Sequence, residues 1–526
     1  MKRVWWWFKR RWQAPQRWHV LAMAIVLTLS LGIRLDHIVR SLPYARHVDE
    51  VTWADISLRM LRTGDANPHR FRKPSVPVYV MTAGFGVGLA CAKLAGTAKS
   101  AKDLGEKVDR YYRLPGTALP PKALFTFASV VALGAAGYVG FMITRRAALL
   151  WLVPLLTAGS GDYFEKSWSY MNVDILGAGF LWVTLAYLFR EHARGNSFAS
   201  GPGWFRRLLT LGVLCGLTVG CKYNLFPILL PGALWFLLFD RRRWLLAASL
   251  LGSIAVATFF LTTPYALVVP REFIDGLAIE SQHYAIGHPG RTVARGLPML
   301  WAYIRYLAES FGWIPYLLSL AGAVLLARRE PRLSVLLFAF PVAFIGYMSM
   351  QRAFFERNAI SVHLFIALTL GVAILELPER LTAAVESFRP ALASRWTPRV
   401  LAIAVALLVV AGIPWRSVAQ AYSPRVEPRN DAMRWLVRRG KPNGVLLVDA
   451  EAKLDHRAVD RRMRVLELDP KRDARKIQAT LEAEPELTIV ATTSFEEHFE
   501  KGSPELKVRA RFQAAERRPV IMILER

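Results

Sequence analysis

Long apolar runs, separated by short basic clusters, occupy most of the chain. They cover residues 18–38, 76–94, 123–143, 147–163, 173–189, 208–219, 225–239, 245–261, 311–326, 333–348, 359–375 and 400–413. A helix that crosses the bilayer core needs about 20 mostly apolar residues. The pattern therefore predicts a multi-pass α-helical membrane protein with about eleven or twelve spans. Runs 208–219 and 225–239 are short and could form a half-crossing pair around Lys222.

The pattern changes near residue 427, where short β-rich runs begin to alternate with helical periodicity. The predicted strands are residues 444–449, 463–468, 486–493, 506–513 and 520–525, and one predicted helix is residues 473–484. Such alternation is typical of a small α/β domain. The first strand is not followed by a glycine-rich phosphate loop, so no nucleotide site is predicted. We therefore expect a transmembrane domain at residues 1–426 and a soluble α/β domain at residues 427–526, with a structural or substrate-docking role.

The basic residues lie beside the apolar runs. The chain has 68 Lys and Arg against 40 Asp and Glu, a net charge of +28. The positive-inside rule places the basic N-terminus and the clusters at residues 241–243, 328–329 and 380–399 in the cytoplasm. Outer loops at residues 39–73 and 262–309 then lie outside with the C-terminal domain, and membrane lipids are expected partners. This distribution argues against a protein that binds nucleic acid.

Residues 76–145 do not fit this topology with the correct number of crossings. Either one apolar segment does not fully cross the membrane, or residues 99–122 contain a hidden crossing. The sequence leaves both options open.

The first outer loop contains an acidic pair and a basic cluster. Asp49-Glu50 follows the membrane exit, and Arg70, Arg72 and Lys73 lie near the end of the loop. A sugar donor with a phosphate leaving group needs a base for the acceptor hydroxyl and cations for the departing phosphate. Asp49 can be that base, and Lys73 with the two arginines can hold the phosphate. The alternative is an acidic pair that only stabilises a helix N-terminus.

The order of the motifs resembles the first loop of bacterial family 39-type glycosyltransferases, which have the GT-C fold. The matching motifs are Asp49-Glu50, Arg59-Met60-Leu61, Thr63-Gly64-Asp65 and Lys73-Pro74. The family includes enzymes similar to protein mannosyltransferases, aminoarabinose transferases and galacturonosyltransferases. The resemblance implies an enzyme of the bacterial inner membrane in which Asp49 is the catalytic base and Lys73 contacts the donor phosphate. Glu50 then supports the structure, and Ser75 replaces the second proline of the usual Lys-Pro-Pro.

Further charged candidates lie at the edges of later apolar runs. Asp162, Glu165 and Asp174 are costly there unless they are functional or solvated. The resemblance implies one acid in a second outer loop, a place that Asp174 fits and for which Asp162 and Glu165 compete. Paired carboxylates from two loops, Glu50 together with one of these acids, could bind a divalent cation or position the acceptor, and helix capping is the alternative. Lys222 either has a buried partner or extends to the membrane surface.

Two later outer segments are expected to complete the site. The stretch with Gln282, His283, Tyr284 and His288 resembles the loop that closes over the active site in this family. These side chains could hydrogen-bond the acceptor, although histidines without a catalytic role are the alternative. Arg357 lies on the outer face, against the positive-inside trend, which favours phosphate binding.

Metal-binding patterns are weak in this sequence. Cys91, Cys215 and Cys221 lie in apolar stretches and show neither zinc spacing nor a disulfide framework. His283 and His288 have no third ligand at a matching helical spacing. No cofactor is therefore predicted with certainty, and a divalent cation is left as an option.

Three functional hypotheses follow. The first is an inverting glycosyltransferase that uses a polyprenyl-phosphate sugar and acts on an extracytoplasmic glycolipid, polysaccharide or protein. The second is a transporter or flippase of lipid-linked substrates, although such proteins usually place charges near the bilayer midplane in repeated halves. The third is a membrane anchor whose C-terminal domain does the work, and that domain shows no recognisable site.

Overall fold

The computed structural model describes residues 15–108, 111–388, 397–423, 427–440, 442–455, 459–460, 462–470, 472–484, 487–493, 495, 506–512 and 520–525. The basic segment at the N-terminus, predicted to be cytoplasmic, lies outside the described residues except for its last positions. The same holds for part of the basic stretch at residues 380–399 and for the ends of some predicted strands.

The described chain contains twenty α-helices and five strands. The helices are α1 (Arg17–Ser41), α2 (Val48–Thr63), α3 (Val76–Leu94), α4 (Leu119–Thr144), α5 (Leu149–Thr157), α6 (Gly161–Trp168), α7 (Val173–Ala193), α8 (Trp204–Cys221), α9 (Leu229–Phe239), α10 (Trp244–Thr262), α11 (Tyr265–Val268), α12 (Pro270–Ile286), α13 (Leu297–Phe311), α14 (Trp313–Arg329), α15 (Pro331–Ser349), α16 (Ile360–Phe388), α17 (Thr397–Gly412), α18 (Trp415–Tyr422), α19 (Pro428–Arg439) and α20 (Ala474–Ala483). The strands are β1 (Val445–Asp449), β2 (Arg464–Leu468), β3 (Leu487–Ala491), β4 (Lys507–Phe512) and β5 (Ile521–Glu525).

Local signals set the ends of helices that carry candidate residues. At α7, the Asn172 side chain caps the helix by accepting a 2.9 Å hydrogen bond from the N–H of Asp174. Arg190 lies in its last turn, where the negative end of the helix dipole stabilises a positive charge. Gly195 then adopts a positive φ of 73° and ends the helical path.

Eight helices in the described part of the chain are long and apolar enough to cross a membrane, and two bent helix pairs raise the number to ten. The bent pairs are α13 with α14, at 109°, and α17 with α18, at 66°. The difference from the eleven or twelve predicted spans lies in two short segments. The run at residues 147–163 is broken into α5 and α6, and the run at residues 225–239 forms only a short helix. Multiple apolar helices of this kind are typical of an integral membrane protein.

The described residues form two compact units. The helical unit consists of Met1–Leu35, Arg59–Gly86 and Pro120–Tyr422, and the mixed unit consists of Asp36–Leu58, Val87–Leu119 and Ser423–Arg526. Two segments of the predicted transmembrane part are therefore packed with the C-terminal α/β fold. The domain boundary at residue 426 remains a prediction.

The mixed unit contains Asp36–Leu58, Val87–Leu119 and Ser423–Arg526. Helix α3 is long and apolar enough to cross a membrane. The two topologies that the sequence allows for residues 76–145 both remain predictions.

The sheet of the mixed unit has the strand order β2-β1-β3-β5-β4. Strand β1 pairs in parallel with β2 and β3, whereas β5 runs antiparallel to β3 and β4. Alternate residues of β1 enter two cores: Leu446 packs in the core that contains Leu436 of α19, and Leu447 packs in the core that contains Ile477 of α20. Burial on both faces explains the continuous apolar run in β1. The predicted α/β arrangement is present.

Close backbone contact positions α12 in the helical unit. A Cβ atom on Gly276 would lie 2.9 Å from the carbonyl carbon of Phe71, so only glycine allows this approach. The Phe71 ring is 1% exposed and meets the Phe273 ring edge-on at 5.9 Å. The last part of the first loop is thereby held against the helix that carries the predicted acceptor-side residues.

Candidate active site

Asp49 lies in the first turn of α2, within the mixed unit. Its backbone N–H donates to Nδ1 of His47 at 3.1 Å, so this ring nitrogen acts as an acceptor. The carboxylate of Asp49 lies 3.9 Å from the same nitrogen, and its side chain is 37% exposed. An acid in the first turn of a helix is stabilised by the N-terminal amides. Part of the carboxylate surface is open to reactants.

Glu50 has different surroundings from its neighbour in sequence. It is fully buried and accepts hydrogen bonds from the Tyr112 hydroxyl at 2.7 Å and from the N–H of Arg46 at 3.1 Å. Burial, together with the charge of Glu50, raises the pKa of Tyr112 well above its usual value, so the tyrosine stays neutral as the donor. This geometry fits the supporting role proposed for Glu50.

A clamp of three side chains from the mixed unit holds the chain just before Asp49. Tyr44 is buried, and the Arg429 guanidinium lies 3.8 Å from its ring centroid. The Tyr44 hydroxyl accepts a hydrogen bond from the N–H of Asp455 at 3.2 Å, and Asn430 donates to the carbonyl of Leu42 at 2.9 Å. Burial raises the pKa of Tyr44 to about 12. The C-terminal α/β part therefore contacts the approach to α2 directly.

Lys73 lies in a second environment, within the helical unit. Its amine forms an ion pair with Glu280 of α12 and lies 5.7 Å from the Tyr284 ring centroid. Arg72 approaches the other oxygen of Glu280 at 3.4 Å. The side chains of Lys73 and Glu280 are 12% and 10% exposed. Although burial raises the pKa of Glu280, the cations outweigh it and hold this pKa below its ordinary value.

Asp174 forms the centre of a buried polar cluster in the same unit. Its carboxylate pairs with Lys222, and the Nε atom of Arg357 lies 4.0 Å away. Lys222 also donates to Oδ1 of Asn358 at 2.6 Å, and this oxygen accepts a 3.2 Å hydrogen bond from Tyr284. Lys222 therefore has a buried partner, which was one of its two predicted explanations.

Tyr284 connects the two cation groups through its ring and its hydroxyl. The ring faces Lys73, and the hydroxyl contacts Asn358 in the Asp174 cluster. Asn358, directly after Arg357 in the sequence, supplies the oxygen that Lys222 and Tyr284 share. The structure thus brings together Lys73, Arg72, Asp174, Arg357 and Tyr284 within one unit.

The competing acids of the second loop lie in a separate cluster. Asp162 pairs with Lys166 at 2.6 Å, and Lys166 also lies 3.6 Å from Glu356. Burial raises the pKa of Asp162, but Lys166 counteracts it so that the pKa lies below its ordinary value. Glu165 is partly buried on the same short helix. Of the three acids, Asp174 is the one paired with Lys222 and Arg357.

The predicted acceptor-side residues lie at the end of α12 and just after it. The His283 ring stacks on Phe355 at 5.7 Å, and the His288 ring lies 5.2 Å from His283. Burial lowers the pKa of His283, which keeps it neutral near pH 7. Gln282 is exposed. The N–H of Arg352 donates to the carbonyl of Tyr284 at 2.9 Å, which joins this stretch to the loop before Arg357.

A more exposed cluster ties the middle of the first loop to α12. The His69 ring contacts Asp65 at 2.9 Å and Glu272 at 3.1 Å, and Arg59 lies 3.3 Å from Asp65. The N–H of Asn67 and the His69 ring lower the pKa of Asp65. The Gly64-Asp65 motif thus serves to fold the loop, with Gly64 at a φ of 72°.

Several outcomes differ from what the sequence alone suggested. Arg70 is exposed, and Arg72 rather than Arg70 accompanies Lys73. Glu280 and Lys166 were not among the predicted site residues. Glu280 could have been found from the sequence, because a carboxylate on the apolar face of an amphipathic helix is unusual. Among the described residues, no group of three His, Cys, Asp or Glu side chains is arranged to hold a metal ion, so the divalent cation remains a prediction.

Solved structures with a similar fold are known. ArnT from Cupriavidus metallidurans bound to undecaprenyl phosphate has a TM-score of 0.53 and 16% identity, covering 97% of this chain and 98% of that chain. The archaeal oligosaccharyltransferase AglB from Archaeoglobus fulgidus, in complex with an inhibitory peptide and a dolichol-phosphate, has a TM-score of 0.53 and 12% identity. That match covers 91% of this chain and 70% of AglB.

No family model and no curated protein sequence matches the chain. At identities of 12–16% the likeness concerns the fold. It confirms the predicted GT-C fold, a multi-pass helical part with a small C-terminal α/β part.

Proposed function

We propose that this protein is an inverting glycosyltransferase that moves a sugar from a polyprenyl-phosphate donor to an extracytoplasmic acceptor. The acceptor is a glycolipid, a polysaccharide or a protein. The proposed location is the bacterial inner membrane, with the C-terminal domain outside. The fold supports this class, because one solved neighbour holds undecaprenyl phosphate and another holds a dolichol-phosphate.

The observation that carries the proposal is the convergence of Lys73 and Arg72 on one largely buried carboxylate oxygen pair. Two cations that already hold an anion in a low-exposure site can also hold a phosphate. Arg357, beside Asp174, is the third proposed phosphate contact. Tyr284 lies between these groups, with its ring facing Lys73 and its hydroxyl at Asn358, and it is proposed to turn this hydroxyl to the lipid phosphate or the sugar.

The proposed reaction is a single displacement at the anomeric carbon. Asp49 accepts the proton of the acceptor hydroxyl, the acceptor oxygen bonds to the anomeric carbon, and the bond from that carbon to the phosphate oxygen breaks. The electron pair of the broken bond stays on the lipid phosphate, where the cations stabilise it. In this scheme Glu50 holds the start of α2 through Tyr112, and His283, Gln282 and His288 are proposed to contact the acceptor.

The proposal is tested by transfer from a radiolabelled polyprenyl-phosphate sugar. Purified full-length protein, incubated with the donor and a mixture of bacterial glycolipid and glycan acceptors, should produce labelled acceptor. Asp49→Asn keeps the size of the side chain but removes the base, and the transfer rate should fall by about 10² to 10⁴. Asp431→Asn is the control, since Asp431 is 33% exposed and pairs with Arg434, whose side chain is 59% exposed.

Two results would contradict the proposal. Full transfer by Asp49→Asn would remove the assigned base. Failure of the wild-type protein to transfer label from any donor, combined with movement of the lipid-linked sugar across vesicles, would favour a transporter.

A further inference from the structure

Glu280 is ion-paired with the same cations that are proposed to hold the donor phosphate. It pairs with Lys73 and with Arg72, and its side chain is 10% exposed. One turn earlier on α12, Gly276 packs directly against the backbone of Phe71, which brings Glu280 next to Arg72 and Lys73. The carboxylate is therefore part of the proposed phosphate environment.

The net charge of this group is set by three side chains. Lys73 and Arg72 are positive and Glu280 is negative, which leaves a single positive charge. His283 adds none at neutral pH because burial lowers its pKa. Lys222 and Arg357 both lie beside Asp174, which balances one of their two positive charges.

The donor and the lipid product of the proposed reaction carry different charges. The donor is a phosphodiester with one negative charge. Once the bond to the anomeric carbon breaks, the lipid retains a phosphate monoester with a charge of about −1.5 to −2 at pH 7. A site with two cations and no nearby anion would therefore hold the product more tightly than the donor.

We propose that Glu280 is a built-in counter-anion that matches the cation pair to the singly charged donor and promotes release of the more highly charged lipid phosphate. This inference rests on the proposed function. Repulsion between Glu280 and the bound phosphate grows with the charge of the phosphate, so it affects the product more than the donor. The residue thus sets which form of the lipid the site prefers.

The test compares two lipids that differ in phosphate charge. Farnesyl phosphate is a monoester, and its methyl ester is a diester with the same isoprenoid chain. Binding of each to the full-length protein in detergent is measured by titration. Glu280→Gln should tighten binding of both, and the gain for the monoester should exceed that for the diester by about tenfold. Farnesyl phosphate should also inhibit transfer by this variant at a lower concentration.

Glu272→Gln is the matched control, because Glu272 lies on the same helix but is 44% exposed and contacts His69. It should change neither affinity. The Arg72 side chain is 33% exposed. Arg72→Gln tests whether the net charge of the site decides between the two lipids, because it lowers this charge where Glu280→Gln raises it. It removes one positive charge and should weaken binding of the monoester more than that of the diester. This second variant keeps the test informative if Glu280→Gln does not fold.

The outcomes separate the inference from the function on which it rests. An equal gain for both lipids in Glu280→Gln, or no gain, overturns the role of Glu280 while leaving the transferase proposal intact. Failure of the wild-type protein to bind either lipid phosphate overturns both. A selective gain for the monoester that is absent in Glu272→Gln supports the counter-anion.

Discussion

Asp49 and Lys73 come from one predicted outer loop, yet their surroundings differ in kind. The Asp49 carboxylate is 37% exposed and lies beside a histidine nitrogen that acts as an acceptor. Lys73 is 12% exposed and is paired with the Glu280 carboxylate. The proposed base is open, whereas the proposed phosphate ligand already has an anionic partner.

The difference follows from the chemistry that each group is proposed to perform. A base must receive a proton from a substrate, so part of its carboxylate must be accessible. A cation in a poorly solvated site is costly without a counter-ion, and the same arrangement recurs at Lys222 with Asp174. A phosphate that enters the helical unit must therefore compete with carboxylates of the protein. The following predictions examine this contrast.

The largest expected effect is on stability, at the buried pair of Asp174 and Lys222. Both side chains are about 5% exposed or less, so removing one partner leaves a charge without its counter-ion. Asp174→Asn and Lys222→Met should each lower the free energy of unfolding by about 3–5 kcal/mol. The double variant Asp174→Leu/Lys222→Met should lose clearly less than the sum. Thermal and denaturant unfolding of the purified protein would measure these changes.

Asp431→Asn serves as the exposed control, since its pair with Arg434 should contribute less than about 1 kcal/mol. If the double variant loses as much as both single variants together, Asp174 and Lys222 do not depend on each other. The buried ion pair of Asp174 and Lys222 would then stabilise the protein no more than an ion pair on the surface.

The next largest effect is on catalysis, at Lys73. Lys73→Met should lower the transfer rate by about a hundredfold, because the departing phosphate loses its nearest cation. Lys73→Arg keeps the charge and should retain more activity. Initial rates over a range of donor concentrations would measure both, and Lys93→Met, at an exposed position, is the control. A variant that unfolds more easily but transfers normally while folded would make Lys73 purely structural.

Local patterns made much of the fold predictable. The alternating runs after residue 427 gave all five strands within a residue or two, because apolar periodicity and turn residues are local signals. The helices of the membrane part followed from hydropathy for the same reason. The break between α5 and α6 was missed, since an apolar run does not reveal where a helix ends when Gly159 interrupts it only briefly.

Pairings across the chain were not predictable from one sequence. Asp174 and Lys222 were each recognised as unusual, but their contact joins positions 48 residues apart. Glu280 lies 207 residues from Lys73, and no local pattern marks such a pair. The fold decides which charges meet, so the sequence supplied candidates without their partners.

A smaller effect is expected in the mixed unit, at the clamp formed by Tyr44 and Arg429. Arg429 lies over the Tyr44 ring at 3.8 Å, and its side chain is 13% exposed. Arg429→Ala should lower the free energy of unfolding by about 2–3 kcal/mol, because it removes both the cation–π contact and the 2.8 Å ion pair with the buried Glu427 carboxylate. Thermal unfolding would measure it against Arg434→Ala, whose side chain is 59% exposed. An equal change in both variants would mean that the approach to Asp49 is not held by this contact.

The smallest expected effect is the pH dependence that Glu280 contributes. Its folded-state pKa lies below the ordinary value of 4.5, so its ionised form stabilises the fold above that pH and the contribution disappears as the pH falls through the folded pKa. At pH 7 the free energy of unfolding of the wild-type protein should be about 1 kcal/mol higher than that of Glu280→Gln. The two stability curves should converge below about pH 4.5, whereas Glu272→Gln should stay near wild type throughout. A gap between the two curves that does not narrow at all as the pH falls below about 4.5 would show that the Glu280→Gln substitution disturbs packing rather than charge. The pairing of Glu280 with Lys73 and Arg72 would then contribute nothing to stability.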